Sequence, residues 1–552
     1  MKELVYPRLL LAQAERVGDK TGFVDVTREG VRYEGTYATH VQRVARLCHG
    51  LGRDLGLAPE DRFAVVAMNG HEFIELYHAA LFGAGIVNPV NIRFSPAELA
   101  YVLADSGTTV VFSDPVFAAL VDRACVEHGA EVRTLVVMGG TPGVDDVGHA
   151  AASTVLYEDL LAGAEPTLPP EPEEDQPVVL MYTGGTTGLP KGALLDQRAE
   201  ALNLYHVGLQ IGLTPERRFL FQSPMFHAAV VAGVVGIPAS GATSVTIPLF
   251  DPELVLATVE SQRIDCTMVV PVMLSMLERA PGFDPARLAS LRQLVYGASP
   301  IATSLLQRWL ALLPHTEFHQ GYGMTEAASV LSFLGPEEHR RGGALLASAG
   351  TPVFGVALRI TDSLGNELPT GQAGEVCARG GNLMTGYWHK PEETAEAFRD
   401  GWYRTGDVGY LDSEGVLHLT DRVQDMIVTG GENVYSTEVE NALATHPAVQ
   451  EVAVIGVPSD AWGEAVHAIV VLKQDMAASG EELIDHARKF LAGFKVPKSV
   501  EILPEPLPLS GAFKPLKREL RRRYRERFPG EGEDLPGVGG GGVETQVPLP
   551  SA

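Results

Sequence analysis

The sequence predicts an α/β protein: a large N-terminal domain of layered α/β subdomains with mainly parallel sheets, followed by a smaller α/β C-terminal domain. Short β-branched runs alternate repeatedly with helical patterns, and the texture of the chain changes after Asp421. Length points the same way, since 552 residues exceed what one hydrophobic core supports and require at least two domains.

The alternation can be followed along the chain. Residues 62–68 read as a strand before a helix near 72–82; residues 108–113 precede a helix over 116–127, and 266–270 precede one over 272–280. A helical crossover returns the chain to the same end of the sheet, so strands joined this way pair in parallel. The acidic, Pro-rich residues 165–177 lead as a surface connection into a strand over 178–182. Beyond Asp421, a helix over 436–445, strands near 449–457 and 466–472, and a helix over 481–491 make a unit of independent-domain size. The basic residues 514–527 read as a terminal helix, and the Gly-, Pro- and acid-rich tail after Phe528 as disordered. The expected boundaries are 1–423, 424–528 and a tail over 529–552.

Bulk properties narrow the function. Hydrophobic residues at 45% and charged residues at 20% suit a soluble globular protein. A net charge of −26 disfavours nucleic acid and anionic membranes as partners. Cys48, Cys125, Cys266 and Cys377 form no CxxC pair, so free thiols in a reducing cytoplasm are expected rather than disulfides or zinc. The N-terminus lacks the apolar run of a secretory signal. The most apolar stretch, 228–237, is only half the ~20 residues a membrane span needs, and Pro238 follows it. A cytoplasmic protein without membrane insertion is expected.

The segment Tyr182-Thr183-Gly184-Gly185-Thr186-Thr187-Gly188-Leu189-Pro190-Lys191-Gly192 offers backbone N–H groups and hydroxyls to phosphate oxygens, with glycines permitting close approach. Lys191 adds a cation. Pro190 before the lysine and Gly192 after it exclude the G-x-x-x-x-G-K-[ST] phosphate loop. Gly537-Val538-Gly539-Gly540-Gly541-Gly542 satisfies G-x-G-x-x-G only formally, with no strand before it and no helix after it.

This segment resembles the Y-T-S/G-G-T-T-G-x-P-K-G signature of the adenylate-forming (AMP-binding) superfamily, whose members include acyl-CoA synthetases. The resemblance covers nearly all of residues 1–525. It implies ATP, Mg2+ and coenzyme A as cofactors, a small-molecule carboxylic acid as substrate and a C-terminal domain that rotates between two half-reactions; a homodimer is compatible with it. In Gly321-Tyr322-Gly323-Met324-Thr325-Glu326 it makes Glu326 the Mg2+ ligand, Thr325 a phosphate contact and Tyr322 the adenine partner, with Gln320 adjoining. Taken alone, Glu326 would be a solvated acid at a helix start. Gly297-Ala298-Ser299 looks like the adenine-side turn. Asp407, in Tyr403-Arg404-Thr405-Gly406-Asp407, and Arg422 are similar to the family's ribose-binding pair; without the motif they read as a surface ion pair.

In Ser510-Gly511-Ala512-Phe513-Lys514, Lys514 falls on the lysine that bridges substrate carboxylate and α-phosphate, a fitting role for an ammonium facing a charge-rich transition state. With Thr183, Lys191, Glu326 and His227 it completes the expected catalytic set. Gly430 and Gly431 fit the pantetheine-channel loop, and Trp462 and Phe494 the positions that stack CoA's adenine, although both could be core aromatics. Gln424 occupies the pivot, where many relatives carry Asp or Lys.

For the substrate, Pro224-Met225-Phe226-His227-Ala228-Ala229 lacks the aspartate that amino-acid-activating relatives use, and a buried unpaired ammonium would be costly. His227 instead borders the carboxylate by resemblance, its alternative being a core histidine. The small apolar wall 230–237 and Gly321, often Ile or Leu in short aromatic pockets, imply a deep cavity for a medium- or long-chain fatty acid or a polycyclic acid. An aryl or cinnamic acid, an enzyme that stops at acyl-AMP, acyl loading of a carrier protein, and a non-catalytic nucleotide-binding protein are the alternatives.

Overall fold

The computed structural model describes residues 4–139, 153–183, 189–422, 425–429, 432–459, 462–510 and 515–527. The described residues form two compact units, one within 4–422 together with 509–510 and one within 425–508 together with 515–527.

The larger unit holds three sheets. A nine-stranded sheet runs, in spatial order, Thr351–Pro352, Ser332–Leu334, Glu317–Tyr322, Gln293–Gly297, Cys266–Val269, Arg218–Phe221, Thr243–Thr246, Thr21–Thr27 and Gly30–Thr36. Its middle is parallel and only its margins are antiparallel. An eight-stranded sheet runs Gly386–Tyr387, Lys191–Asp196, Pro177–Thr183, Ile86–Pro89, Arg62–Val66, Val110–Ser113, Thr134–Val137 and Ser153–Leu156. It is parallel from Pro177–Thr183 onward. Helix His71–Leu81 lies between these sheets and is buried along its whole length. It follows a strand of the eight-stranded sheet, while its first residue, His71, bonds Asp25 in the nine-stranded sheet. That position explains a helix with no solvent face, its buried His71, Glu72, Glu75 and His78 included. Helix Ala228–Ala239 is buried almost as completely.

The α/β expectation holds, with element boundaries in the larger unit displaced by one or two residues. A five-stranded antiparallel sheet, built on Ala357–Thr361, Gly374–Arg379, Trp402–Leu411 and Leu417–Arg422, is an addition that strand–helix alternation does not reveal.

The smaller unit packs helices Ser436–Ala444, Gly480–Ala487 and Lys517–Arg527 on a sheet centred on Val449–Ser459 and Gly463–Leu472. Its second helix ends at Ala487 rather than near 491, because the Lys489 and Phe490 N–H groups close tighter turns onto His486 and Ala487. Its last helix starts at Lys517 because the Leu516 N–H bonds the Pro508 carbonyl instead of opening a helical turn. The expected tail and its G-x-G-x-x-G match lie outside the described residues. No helix among the described residues is long and apolar enough to cross a membrane.

Candidate functional site

Lys191 opens a strand. Strands Pro177–Thr183 and Lys191–Asp196 are antiparallel neighbours with Thr183 opposite Lys191, so the glycine-rich segment joins two paired strands rather than a strand and a helix. This pairing separates the site physically from a phosphate loop that opens a helix. Gly184, Gly185, Thr186, Thr187 and Gly188 lie outside the described residues. The Lys191 ammonium sits 5.3 Å from the ring centroid of Tyr387, a cation–π distance.

Tyr387 joins the two halves of the site. Its strand pairs with the lysine strand, Tyr387 opposite Ala193. Its hydroxyl donates to Glu326 Oε1 at 2.9 Å, and the Met384 N–H donates to the Glu326 carbonyl at 2.8 Å. Burial, with the Glu326 carboxylate next in effect, raises the phenol pKa of Tyr387; the same two causes raise that of Tyr403. Tyr387 and Tyr403 therefore stay protonated, and Tyr387 acts as donor to the carboxylate. Four residues before Glu326, the Tyr322 hydroxyl donates to Asp407 Oδ2 at 2.7 Å. Asp407 is buried and lies opposite Arg422 in the antiparallel register. Lys191, Tyr387 and Glu326 thus form one connected group, and Tyr322 with Asp407 a second that the strand and turn of residues 317–327 join to it; the Tyr322 hydroxyl is engaged by Asp407.

Two glycines are required by close approach. A Cβ on Gly297 would lie 2.3 Å from the Gly321 carbonyl oxygen, and one on Gly323 would lie 2.0 Å from the Ser329 carbonyl oxygen. Between and beyond them, Ala298, Ala328 and Ser329 hold φ of +66°, +52° and +129°, left-handed values that non-glycine residues seldom adopt. Such strain concentrates at functional sites. Ser299 follows the strained Ala298, Thr325 and Glu326 begin a 3-10 turn after Met324, and the Gln320 amide oxygen accepts from the Tyr296 hydroxyl at 3.2 Å. Gly297→Ala is expected to destabilise the protein by about 2 kcal/mol and to depress activity, because backbone must move. Urea denaturation with an activity assay checks this; parent-like values in both would contradict the packing described.

His227 caps helix Ala228–Ala239. Its Nδ1 accepts from the Ala229 N–H at 3.2 Å, which leaves the ring proton on Nε2 as a donor suited to a carboxylate. The preceding turn is pinned from the other sheet by the buried Asn69. Asn69 accepts from the Met225 N–H at 2.8 Å and donates to the Ser223 carbonyl at 3.1 Å. Sequence reasoning misses Asn69, Tyr387 and Tyr403 as partners of this site. Tyr387 belongs to a two-residue strand, too short for any periodic signal.

In the smaller unit, Trp462 and Phe494 are 49% and 38% exposed, so neither is a core aromatic. Lys498 lies 5.3 Å from the Trp462 ring centroid and Lys495 5.7 Å from that of Phe494, giving two aromatic–cation pairs at the surface. Gln424, Gly430, Gly431 and Lys514 lie outside the described residues.

Comparison with known proteins accords with this geometry. Residues 10–388 match the model of the AMP-binding enzyme family, and residues 438–514 match that of the AMP-binding enzyme C-terminal domain. A feruloyl-CoA synthase of Amycolatopsis sp is 38% identical over 499 residues, covering 90% of this chain and 95% of the relative. The fatty acid–[acyl-carrier-protein] ligase ScoC of Streptomyces coeruleorubidus is 34% identical over 512 residues, covering 90% and 94%. The crystal structure of ATP-bound MatB from Rhodopseudomonas palustris superposes with a TM-score of 0.82 at 28% identity, covering 94% of this chain and 99% of that one. The chain belongs to the AMP-binding enzyme family and is an AMP-forming ligase of the acyl-CoA synthetase type, using ATP, Mg2+ and coenzyme A.

Proposed function

We propose that this enzyme activates a hydrophobic carboxylic acid as acyl-AMP and then transfers the acyl group to CoA. The observation that carries the reading is the continuous contact from Lys191 through Tyr387 to Glu326, with Tyr322 and Asp407 completing the nucleotide side. In the first step a carboxylate oxygen attacks the α-phosphorus of ATP and the bond to pyrophosphate breaks. In the second the CoA sulfur attacks the acyl carbon and AMP leaves, carrying that oxygen with it.

Each residue then has a part. Thr183 to Gly188 and Lys191 hold the phosphates; Gly297, Ala298, Ser299 and Gln320 to Thr325 border the adenine; Asp407 and Arg422 hold the ribose. Glu326 would hold Mg2+, and its oxygen donor, oriented by Tyr387, fits a hard divalent cation. Bound there, Mg2+ offsets phosphate charge. His227 meets the acid's carboxylate, and Lys514 serves only the first step, delivered by a mobile C-terminal domain over 424–528 that pivots at Gln424. Gly430, Gly431, Trp462 and Phe494 serve CoA; the exposed Trp462–Lys498 and Phe494–Lys495 pairs support free CoA as acceptor. The four free cysteines support a reducing, cytoplasmic setting.

The acid is bounded at Gly321. A Cβ there would meet the end of the Phe333 ring at 3.6–4.0 Å, so an added side chain would lie directly against an aromatic residue. An aromatic neighbour at Gly321 favours a phenylpropenoic acid, and the relative named feruloyl-CoA synthase supports it. The apolar helix Ala228–Ala239 and the fatty-acid relative favour a fatty acid as the second reading. A panel of acids scored for pyrophosphate release with and without CoA tests the proposal; no release with any acid refutes it. Gly321→Leu is expected to lower kcat/KM for the best aryl acid by at least about tenfold while changing that for a short acid less than threefold. Equal losses would remove Gly321 from the pocket.

A further inference from the structure

Three arginines on one face of the five-stranded antiparallel sheet lack a carboxylate partner. Cross-strand partners and alternate residues of a strand share a face. The register sets Arg359 opposite Cys377, Cys377 opposite Arg404, and Arg399 opposite Trp402, with Arg379 two residues beyond Cys377. These side chains therefore lie on one side of the sheet, while Ile360, Val376, Ala378 and Tyr403 are buried on the other. Arg404 is paired with Glu375 at 2.7 Å. Among the described residues, Arg359, Arg379 and Arg399 make no salt bridge and no side-chain hydrogen bond. In a chain with 43 basic and 69 acidic residues, carboxylates to neutralise them were not scarce. Like charges held together without a counter-charge raise the energy of the fold.

The three guanidiniums are also seated. Those of Arg359 and Arg379 lie 4.4 and 4.7 Å from the ring centroid of Trp402, so both share one indole. Arg399 lies against the turn at Gly365, where a Cβ would come within 2.8 Å of its Nη1. Arg359 Nε is buried and has no hydrogen-bond partner. Arg359, Arg399, Arg404 and Trp402 line an open depression, and the Arg379, Arg399 and Arg404 side chains are exposed, so the face is accessible. Of the carboxylates at its border, Glu375 is held by Arg404, and Asp362 accepts from the Leu364 and Asn366 N–H groups and the Asn366 side chain. The exposed Asp400, in the turn between Arg399 and Trp402, offsets one positive charge of the three. The face is distinct from the nucleotide residues: Asp407 lies five positions along the same strand from Trp402, roughly 17 Å.

We propose that Arg359, Arg379 and Arg399, gathered around Trp402, form a second anion site that takes a diphosphate group. A guanidinium presents parallel N–H donors that match phosphate oxygens, and stacking on an indole fixes its orientation before the ligand arrives. Three guanidiniums exceed the charge of a single phosphoryl group, whereas two adjacent phosphoryl groups balance them. The group is either free pyrophosphate or the diphosphate of a nucleotide. This site is independent of which acid the enzyme activates.

Calorimetric titration of inorganic pyrophosphate into the whole chain tests this, with saturating α,β-methylene-ATP present to fill the nucleotide site. About one equivalent is expected to bind, and Arg359→Gln/Arg379→Gln to weaken that binding at least about tenfold while leaving turnover within about twofold of the parent. Should the double variant fail to fold, Arg399→Gln, a single exposed change, is expected to weaken binding at least about threefold. Arg53→Gln/Arg340→Gln removes the same charge from exposed positions outside this sheet and is expected to change the affinity less than about twofold. ADP titrated in the same way identifies the source. Tighter binding than pyrophosphate assigns the site to a nucleotide-borne diphosphate, and weaker binding assigns it to the free ion. No binding of either probe once the nucleotide site is filled overturns the proposal. Equal affinity in the parent and Arg359→Gln/Arg379→Gln, or an equal loss in Arg53→Gln/Arg340→Gln, overturns it as well.

Discussion

Lys514→Ala is expected to slow acid-dependent pyrophosphate release by roughly a hundred- to a thousandfold, while thioester formation from supplied acyl-AMP stays within about threefold of the parent. Charge builds on the non-bridging α-phosphate oxygens as the carboxylate attacks, and an ammonium placed there acts mainly in the transition state. Such a loss should therefore appear in kcat. The second half-reaction needs no such cation, because the phosphate is by then part of the leaving group. Single-turnover assays of each step, run separately, distinguish the two. Equal loss in both steps would contradict an ammonium that serves one half-reaction only.

Glu326→Gln should have the second-largest effect, a fall in adenylation of about a hundredfold or more together with a higher Mg2+ requirement. The substitution removes charge but little shape, and the amide oxygen can still accept from the Tyr387 hydroxyl that now bonds Glu326 at 2.9 Å. Stability should therefore stay close to that of the parent. Pyrophosphate release measured across a Mg2+ titration reads the effect directly. An unchanged Mg2+ dependence would take the metal away from Glu326.

The parallel sheets were legible because their strands are buried runs bounded by helices; Cys266–Val269 and Val110–Ser113, for example, are buried at every position. The antiparallel sheet was not, since its long strand Trp402–Leu411 mixes buried and half-exposed residues without clean alternation. Its turns did leave a trace. Asp362 accepts from the Leu364 and Asn366 N–H groups, and Asp412 from those of Glu414 and Val416, aspartate turns that mark hairpins. At the site, Glu326 and Asp407 stand inside contiguous motifs and could be read directly. Tyr387 reaches Glu326 across 61 positions and Asn69 reaches Met225 across 156, contacts made by sheet pairing and layer stacking rather than by any local pattern. Gly321 reads from the sequence as a missing side chain, but that Phe333 lies beside it depends on the antiparallel pairing of their two strands, Gly321 opposite Phe333.

In the proposed reaction a carboxylate oxygen of the acid becomes bonded to the α-phosphorus of ATP. Turnover of an acid labelled with heavy oxygen in its carboxylate, with ATP, Mg2+ and CoA, tests it most directly by mass spectrometry of the nucleotide product. AMP carrying one labelled oxygen, pyrophosphate as co-product and acyl-CoA retaining the other label are the expected products. Unlabelled AMP, or ADP and phosphate in its place, would contradict it.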